Sequence, residues 1–144
     1  MFEKILYPTD FSEVARKALG FIARLKGAGA EEIVVLHVID SRNFDALPSH
    51  MPMDFVQIQK AWEERAAEEI KVIAGELRAQ GYRVKERLES GVPFREILRV
   101  AEEENASVIV LGSHGKSNLA EMFLGSVSEK VIRKSKKPVL VVKR

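Results

Sequence analysis

Five short runs that read as strands, four of them apolar, each separated from the next by a stretch with helical spacing, constrain the fold of this chain more than any other feature. The runs are Lys4 to Tyr7, Glu32 to Ile39, Ala106 to Leu111 and Pro138 to Val142, rich in Val, Ile and Leu, and Tyr82 to Leu88, in which Arg83, Lys85, Glu86 and Arg87 stand among Tyr82, Val84 and Leu88. Between them, apolar residues recur three and four positions apart: Ala15, Ala18, Leu19, Ile22 and Leu25; then Phe55, Ile58, Trp62, Ala66, Ile70, Ile73 and Leu77; then Phe94, Ile97, Leu98 and Ala101; and a last helix over 126–134 with Val131 and Ile132 on its apolar face. The order βαβαβαβαβ predicts an α/β fold with a parallel sheet covered on both faces, because each right-handed crossover lays its helix against the sheet. Local signals agree. Ser12 is placed to cap the first helix, Gly27 and Gly29 to end it, Asp54 with Gln57 to form a capping box, and Pro93 to sit in a first helical turn. The polar stretch from Asp40 to Met53, with Pro48 and Pro52, predicts a mobile loop. A length of 144 residues fits one domain over 1–144.

Composition excludes several function classes. Charged residues make up 31% of the chain but the net charge is only +2, a balance that argues against obligatory nucleic-acid or membrane partners. The basic run Arg133-Lys134-Ser135-Lys136-Lys137 reads as a solvated helix end that complements the helix dipole. With no cysteine there is neither a disulfide nor a thiolate site. No apolar run approaches the roughly 20 residues of a membrane span, and Met1-Phe2-Glu3-Lys4 does not open a signal peptide, so the expected compartment is the cytoplasm. The three histidines, His37, His50 and His114, are too scattered for a metal site.

The chemistry concentrates after the fourth run. Ala106-Ser107-Val108-Ile109-Val110-Leu111 leads into Gly112-Ser113-His114-Gly115, and nine residues later comes Gly125-Ser126. Glycines there permit positive φ and a close approach of backbone N–H groups to an anion. Ser126 with Glu129 fits a capping box, and a helix N-terminus can accept phosphate oxygens. This is not a Walker A loop, since Val110 stands where the first glycine is needed, and no G-x-G-x-x-G occurs.

These glycines at this spacing resemble the nucleotide-binding signature of the universal stress protein family, in its ATP-binding branch. Also similar to that family are Ile5-Leu6-Tyr7-Pro8-Thr9-Asp10-Phe11-Ser12, Gly91-Val92-Pro93 and Lys137-Pro138-Val139-Leu140-Val141-Val142, which together span nearly the whole chain. The resemblance implies a Rossmann-like, adenine nucleotide alpha hydrolase-like fold: a single open five-stranded parallel sheet in the order 3-2-1-4-5. It implies ATP as ligand, with Asp10 and the Val38 backbone at the adenosine end and Gly112, His114, Gly115, Gly125, Ser126, Val127 and Ser128 at the phosphates. Any Mg²⁺ or Mn²⁺ would come with the triphosphate and keep water ligands. With that strand order, Asp10 after strand 1 and Gly112 after strand 4 become neighbours at the switch point where such sheets bind ligands. The resemblance also implies a homodimer through strand 138–142, an apolar edge prone to pair with a second copy.

Several residues carry two readings. Asp10 is a ligand for ribose or adenine donors, or only a loop cap and partner of Ser12. His114 is a phosphate contact or a solvated loop residue, and Lys116 a cation for the γ-phosphate or a solvated charge. His37 reads as a strand residue with a structural hydrogen bond. Two functions stay open: a nucleotide-dependent regulatory or stress-response module, acting on unidentified protein partners through segments 40–53 and 113–124, and a slow ATP-hydrolysing enzyme. The first is favoured because the motif cradles phosphate without an obvious base.

Overall fold

The computed structural model describes residues 1–45, 54–114 and 124–144. Five strands, β1 (Lys4–Pro8), β2 (Glu32–Asp40), β3 (Arg83–Gly91), β4 (Val108–Gly112) and β5 (Val139–Val142), form one sheet in the order β3-β2-β1-β4-β5, and the pairing is parallel throughout. The helices are α1 (Glu13–Leu25), α2 (Arg42–Asp45), α3 (Asp54–Ala79), α4 (Pro93–Glu103) and α5 (Ser126–Lys134). Every strand run and helical stretch read from the sequence is present.

Strand alternation splits the core in two. Ile5 and Tyr7 of β1, Ile33 and Val35 of β2, and Val108 and Val110 of β4 face the layer of α1 and α3, with Ala18, Ile22, Ile70, Ile73 and Leu77. Leu6, Val34, Leu36, Ile109 and Leu111 point the other way, toward Ile97, Val100 and Ala101 of α4 and Val131 of α5. Burial on both faces is why these strands read as continuous apolar runs rather than alternating ones.

The ends of the elements follow local chemistry. Ser12 Oγ accepts from the Ala15 N–H (3.3 Å) and caps α1. A single 3-10 turn over Lys26–Ala28 extends that helix to Gly29, whose φ of 97° is a left-handed stop. Pro93 opens α4 as expected. The stretch read as a loop from Asp40 is partly helical: Asp40 Oδ1 accepts from the Arg42 N–H (3.1 Å) and starts α2, while 46–53 lie outside the described residues. The capping box predicted from Asp54 falls at that edge too, since α3 begins at Asp54 itself.

Near the amino end of β1 sits an ion cluster around one buried carboxylate. Glu104, at the end of α4, accepts from Lys85 (2.6 Å), Lys4 (3.1 Å) and Arg87 (3.1 Å). Burial opposes ionisation of its carboxyl, but the three cationic hydrogen bonds outweigh it and hold the pKa at about 2.

Candidate nucleotide cleft

Strand order reverses at β1, whose chain turns away into α1 while that of its neighbour β4 turns toward α5. Between these two carboxyl ends lies a cleft of about 840 Å³, within the range of small-molecule sites. Asp10, Val38, Gly112, His114, Gly125, Ser126, Val127 and Ser128 all line it. Gly115 and Lys116 lie outside the described residues.

The β1–α1 corner is fixed by short hydrogen bonds. The Tyr7 hydroxyl donates to the Ala15 carbonyl at 2.5 Å, tying the first turn of α1 to the central strand. Burial pushes the Tyr7 phenol up to about 12. Thr9 Oγ1 accepts from the Phe11 N–H (3.0 Å), and Asp10 Oδ1 accepts from the Ser12 N–H (2.9 Å). Asp10 is thus a partner of Ser12 and a cleft-lining carboxylate at once. Phe11 holds a φ of 64°, unusual for an aromatic residue, and its ring stacks on His37 at 4.4 Å. His37 Nδ1 lies 2.7 Å from the Thr9 carbonyl, which can only accept, so the proton is on Nδ1. His37 therefore has the structural hydrogen bond expected of it.

Val38 contributes through its backbone. The Thr9 N–H donates to the Leu36 carbonyl (2.8 Å), so Leu36 faces the β1 side of β2. Two residues on, the same alternation turns the N–H and C=O of Val38 that way, past Pro8, where β1 has ended. An adjacent donor and acceptor open to the cleft result.

The α5 side differs from the sequence reading in two ways. Ser126 is not the N-cap; Gly125 occupies that position in extended conformation, without a side-chain cap, and Ser126 is the first helical residue. The predicted capping box therefore does not form. The first helical bond runs from the Glu129 N–H to the Gly125 carbonyl (3.0 Å), which leaves the N–H groups of Ser126, Val127 and Ser128 without helical acceptors at the cleft. Ser128 is buried, and its hydroxyl faces the carbonyls of Ser113 (2.6 Å) and Gly125 (3.1 Å). With the Gly125 N–H donating to the same Ser113 carbonyl (2.6 Å), it pins the two ends of the loop together. His114 takes part through Nδ1, 2.8 Å from Ser113 Oγ.

Gly112 is the second departure. Its φ is not positive; what demands glycine is space, since a Cβ there would stand 2.8 Å from Val14 Cγ1 and 3.1 and 3.2 Å from the backbone of Val14 and Ala15. Lacking a side chain, β4 lets the N-terminus of α1 approach closely.

The opposite wall was not legible in the sequence. Arg16 of α1, Arg42 and Asn43 of α2, and Trp62 and Arg65 of α3 complete the lining. Trp62 belongs to the helical stripe read as core, but it is 37% exposed at the lip of the cleft, packed on Phe44 at 4.9 Å. Among the described residues no group of three or more His, Asp or Glu side chains would hold a metal ion. No described helix is long and apolar enough to cross a membrane.

A model of the universal stress protein family matches residues 1–143. The chain belongs to that family. Universal stress protein MJ0577 of Methanocaldococcus jannaschii is 42% identical over an alignment covering 100% of this chain and 96% of its own. A solved structure of MJ0577 superposes with a TM-score of 0.92 at 45% identity, covering 100% of this chain and 97% of the other. Two further universal stress protein structures share the fold. One, in complex with cAMP, has a TM-score of 0.69 at 22% identity, covering 99% of this chain and 97% of its own. The other, from Archaeoglobus fulgidus in complex with dAMP, has a TM-score of 0.65 at 22% identity, covering 99% of this chain and 98% of its own. The universal stress protein fold therefore has nucleotide-carrying examples, and the order β3-β2-β1-β4-β5 is the one the resemblance implied.

Proposed function

We propose that this universal stress protein is a regulatory module that binds ATP in the cleft between β1 and β4. The observation that carries the reading is the convergence of three unlike groups on one cleft: the Asp10 carboxylate, the Val38 backbone pair, and the N–H groups at the start of α5 that lack helical acceptors. The Val38 donor and acceptor suit the N1 and N6 edge of adenine, Asp10 suits the ribose hydroxyls, and the α5 N-terminus suits phosphate. Structures of the fold with cAMP and dAMP bound agree with adenine as the base. Regulation is preferred to slow hydrolysis because the cleft's described carboxylates, Asp10, Asp40 and Glu69, come from the β1, β2 and α3 side and not from β4 or α5, and His114 is engaged with Ser113. Titration calorimetry tests the assignment. Wild type should bind ATP, and Asp10→Asn, which keeps the acceptor for Ser12 but loses the charge, should bind about tenfold more weakly with its fold intact. Absence of ATP heat from wild type refutes the proposal.

We further propose a homodimer through β5. In support, Leu140 is 39% exposed at the sheet edge beside Phe21 at 41%, whereas Val139 and Val141 turn toward the α4–α5 core. Leu140→Lys is therefore a cleaner probe than a charge at Val141. Sedimentation equilibrium should give twice the chain mass for wild type and the monomer mass for the variant, and a monomeric wild type overturns the proposal.

A further inference from the structure

On the α4–α5 surface the cations sort into two kinds. Arg99 is shared among Glu89, Glu96 and Glu103, and Arg133 is taken by Glu129. Three others converge on a single ring instead: Lys130 Nζ and Lys134 Nζ each lie 5.0 Å from the Phe94 centroid, and the Arg95 guanidinium carbon lies 5.6 Å from it. None of these three makes an ion pair with any described residue. Lys130 and Lys134 stand four apart on one helical face, where like charges repel, so the cluster holds uncompensated positive charge over a half-buried aromatic surface. Such an arrangement gains from an anion and from apolar contact together.

We propose that this surface docks an acidic segment of a partner protein. Carboxylates would pair with Lys130, Lys134 and Arg95, while an apolar side chain of the segment would cover the exposed part of the Phe94 ring. A peptide is favoured over nucleic acid on charge grounds. Beyond Lys134 the basic run continues to Lys136 and Lys137, but Arg133 is paired with Glu129 and Lys137 with Asn105 (3.0 Å), and the cations on the ring adjoin the acids Glu96 and Glu129 in sequence, which a phosphate backbone, read by longer cationic tracks, would meet unfavourably. The location gives docking a link to the cleft. Pro93, next to Phe94, lines the cleft, and so does Ser126, one turn ahead of Lys130.

The experiment uses the full chain, saturated with ATP, and a fluorescein-labelled oligoglutamate peptide interspersed with leucine, read by anisotropy. Wild type should bind with an affinity that falls as salt rises. The double variant Lys130→Glu, Lys134→Glu should bind at least about tenfold more weakly, because two attractions become two repulsions. Lys130→Gln, Lys134→Gln, which keeps the side-chain stems on the ring, should weaken binding in the same direction and serves if the glutamates disturb folding. ATP affinity, titrated separately on nucleotide-free protein, should be retained in the Lys130→Gln, Lys134→Gln pair, which separates this proposal from the nucleotide assignment. No peptide binding by wild type, or equal binding by folded variants, overturns it. Tighter binding of oligothymidylate than of the peptide, lost in the same variants, overturns it in favour of nucleic acid.

Discussion

Gly112→Ala separates two roles that a glycine at the end of β4 can have. If the glycine served only to bring backbone close to an anion, alanine would weaken nucleotide binding and leave stability unchanged. The geometry predicts otherwise. The new Cβ would lie 2.8 Å from Val14 Cγ1, well inside the roughly 3.5–4.0 Å of ordinary carbon contacts, and 3.1 and 3.2 Å from α1 backbone atoms. Val14 is β-branched in a helix, so its rotamer has little freedom to yield, and the backbone atoms belong to a turn held by the Tyr7 hydroxyl and the Ser12 cap. Overpacking of this kind costs about 1–3 kcal/mol, offset by roughly 0.5–1 kcal/mol for replacing glycine in a strand. The net spans about 0–2.5 kcal/mol, and its mid-range value of about 1 kcal/mol corresponds to a loss of roughly 3–4 °C in Tm for a domain of this size. Because the shift displaces the turn that carries Asp10, ATP affinity should fall with it. Thermal unfolding followed by circular dichroism measures the first effect and calorimetry the second. Val14→Ala supplies the internal control: it should cost less when combined with Gly112→Ala than in wild type, since it removes the 2.8 Å contact and leaves only the backbone ones. A Gly112→Ala protein with wild-type Tm, or additive effects of the two substitutions, refutes the packing argument.

Two further predictions concern titration. The Glu104 carboxyl, held at about 2 against an ordinary value of 4.5, should contribute about 3 kcal/mol above pH 4.5, lost as pH falls toward 2. Glu104→Gln should therefore be less stable at neutral pH by an amount that shrinks through that window in urea titrations, with ATP affinity unchanged, because the cluster lies at the end of the sheet opposite the cleft. A constant difference from pH 7 to pH 2 counts against it. Tyr7 has the opposite sign. Its phenol, raised from 10 to about 12 by burial, should add stability that is complete below pH 10 and fades as pH rises to 12. Tyr7→Phe should lose about 1 kcal/mol at neutral pH with the Ala15 bond, and should lack that part of the alkaline decline. Equal alkaline profiles for the two proteins would contradict this.

The architecture was legible because burial on both faces writes itself into local pattern: a strand covered on two sides must be continuously apolar, and a helix on a sheet must repeat near 3.6. The starts of α1 and α4 were legible too, since Ser12 as a cap and Pro93 as a first helical residue act within one turn of themselves. Strand order came only with the family resemblance, as nothing in an apolar run states its neighbour. Tertiary structure alone decided the meaning of particular residues in the site. Ser126 has the composition of a cap, but Gly125 takes the position, because the Ser113 carbonyl receives both the Gly125 N–H and the Ser128 hydroxyl and so sets where α5 begins. Gly112 reads as a phosphate glycine and lines the cleft, but the space it leaves is also a point of close contact with Val14 and Ala15 of α1, far from it along the chain. Trp62 and Arg65, spaced as an ordinary helix, reach the cleft because of where α3 packs relative to the end of β2. Periodicity records how much of a residue is buried; which distant group it meets depends on how the elements pack, and that information is not local to any stretch of the sequence.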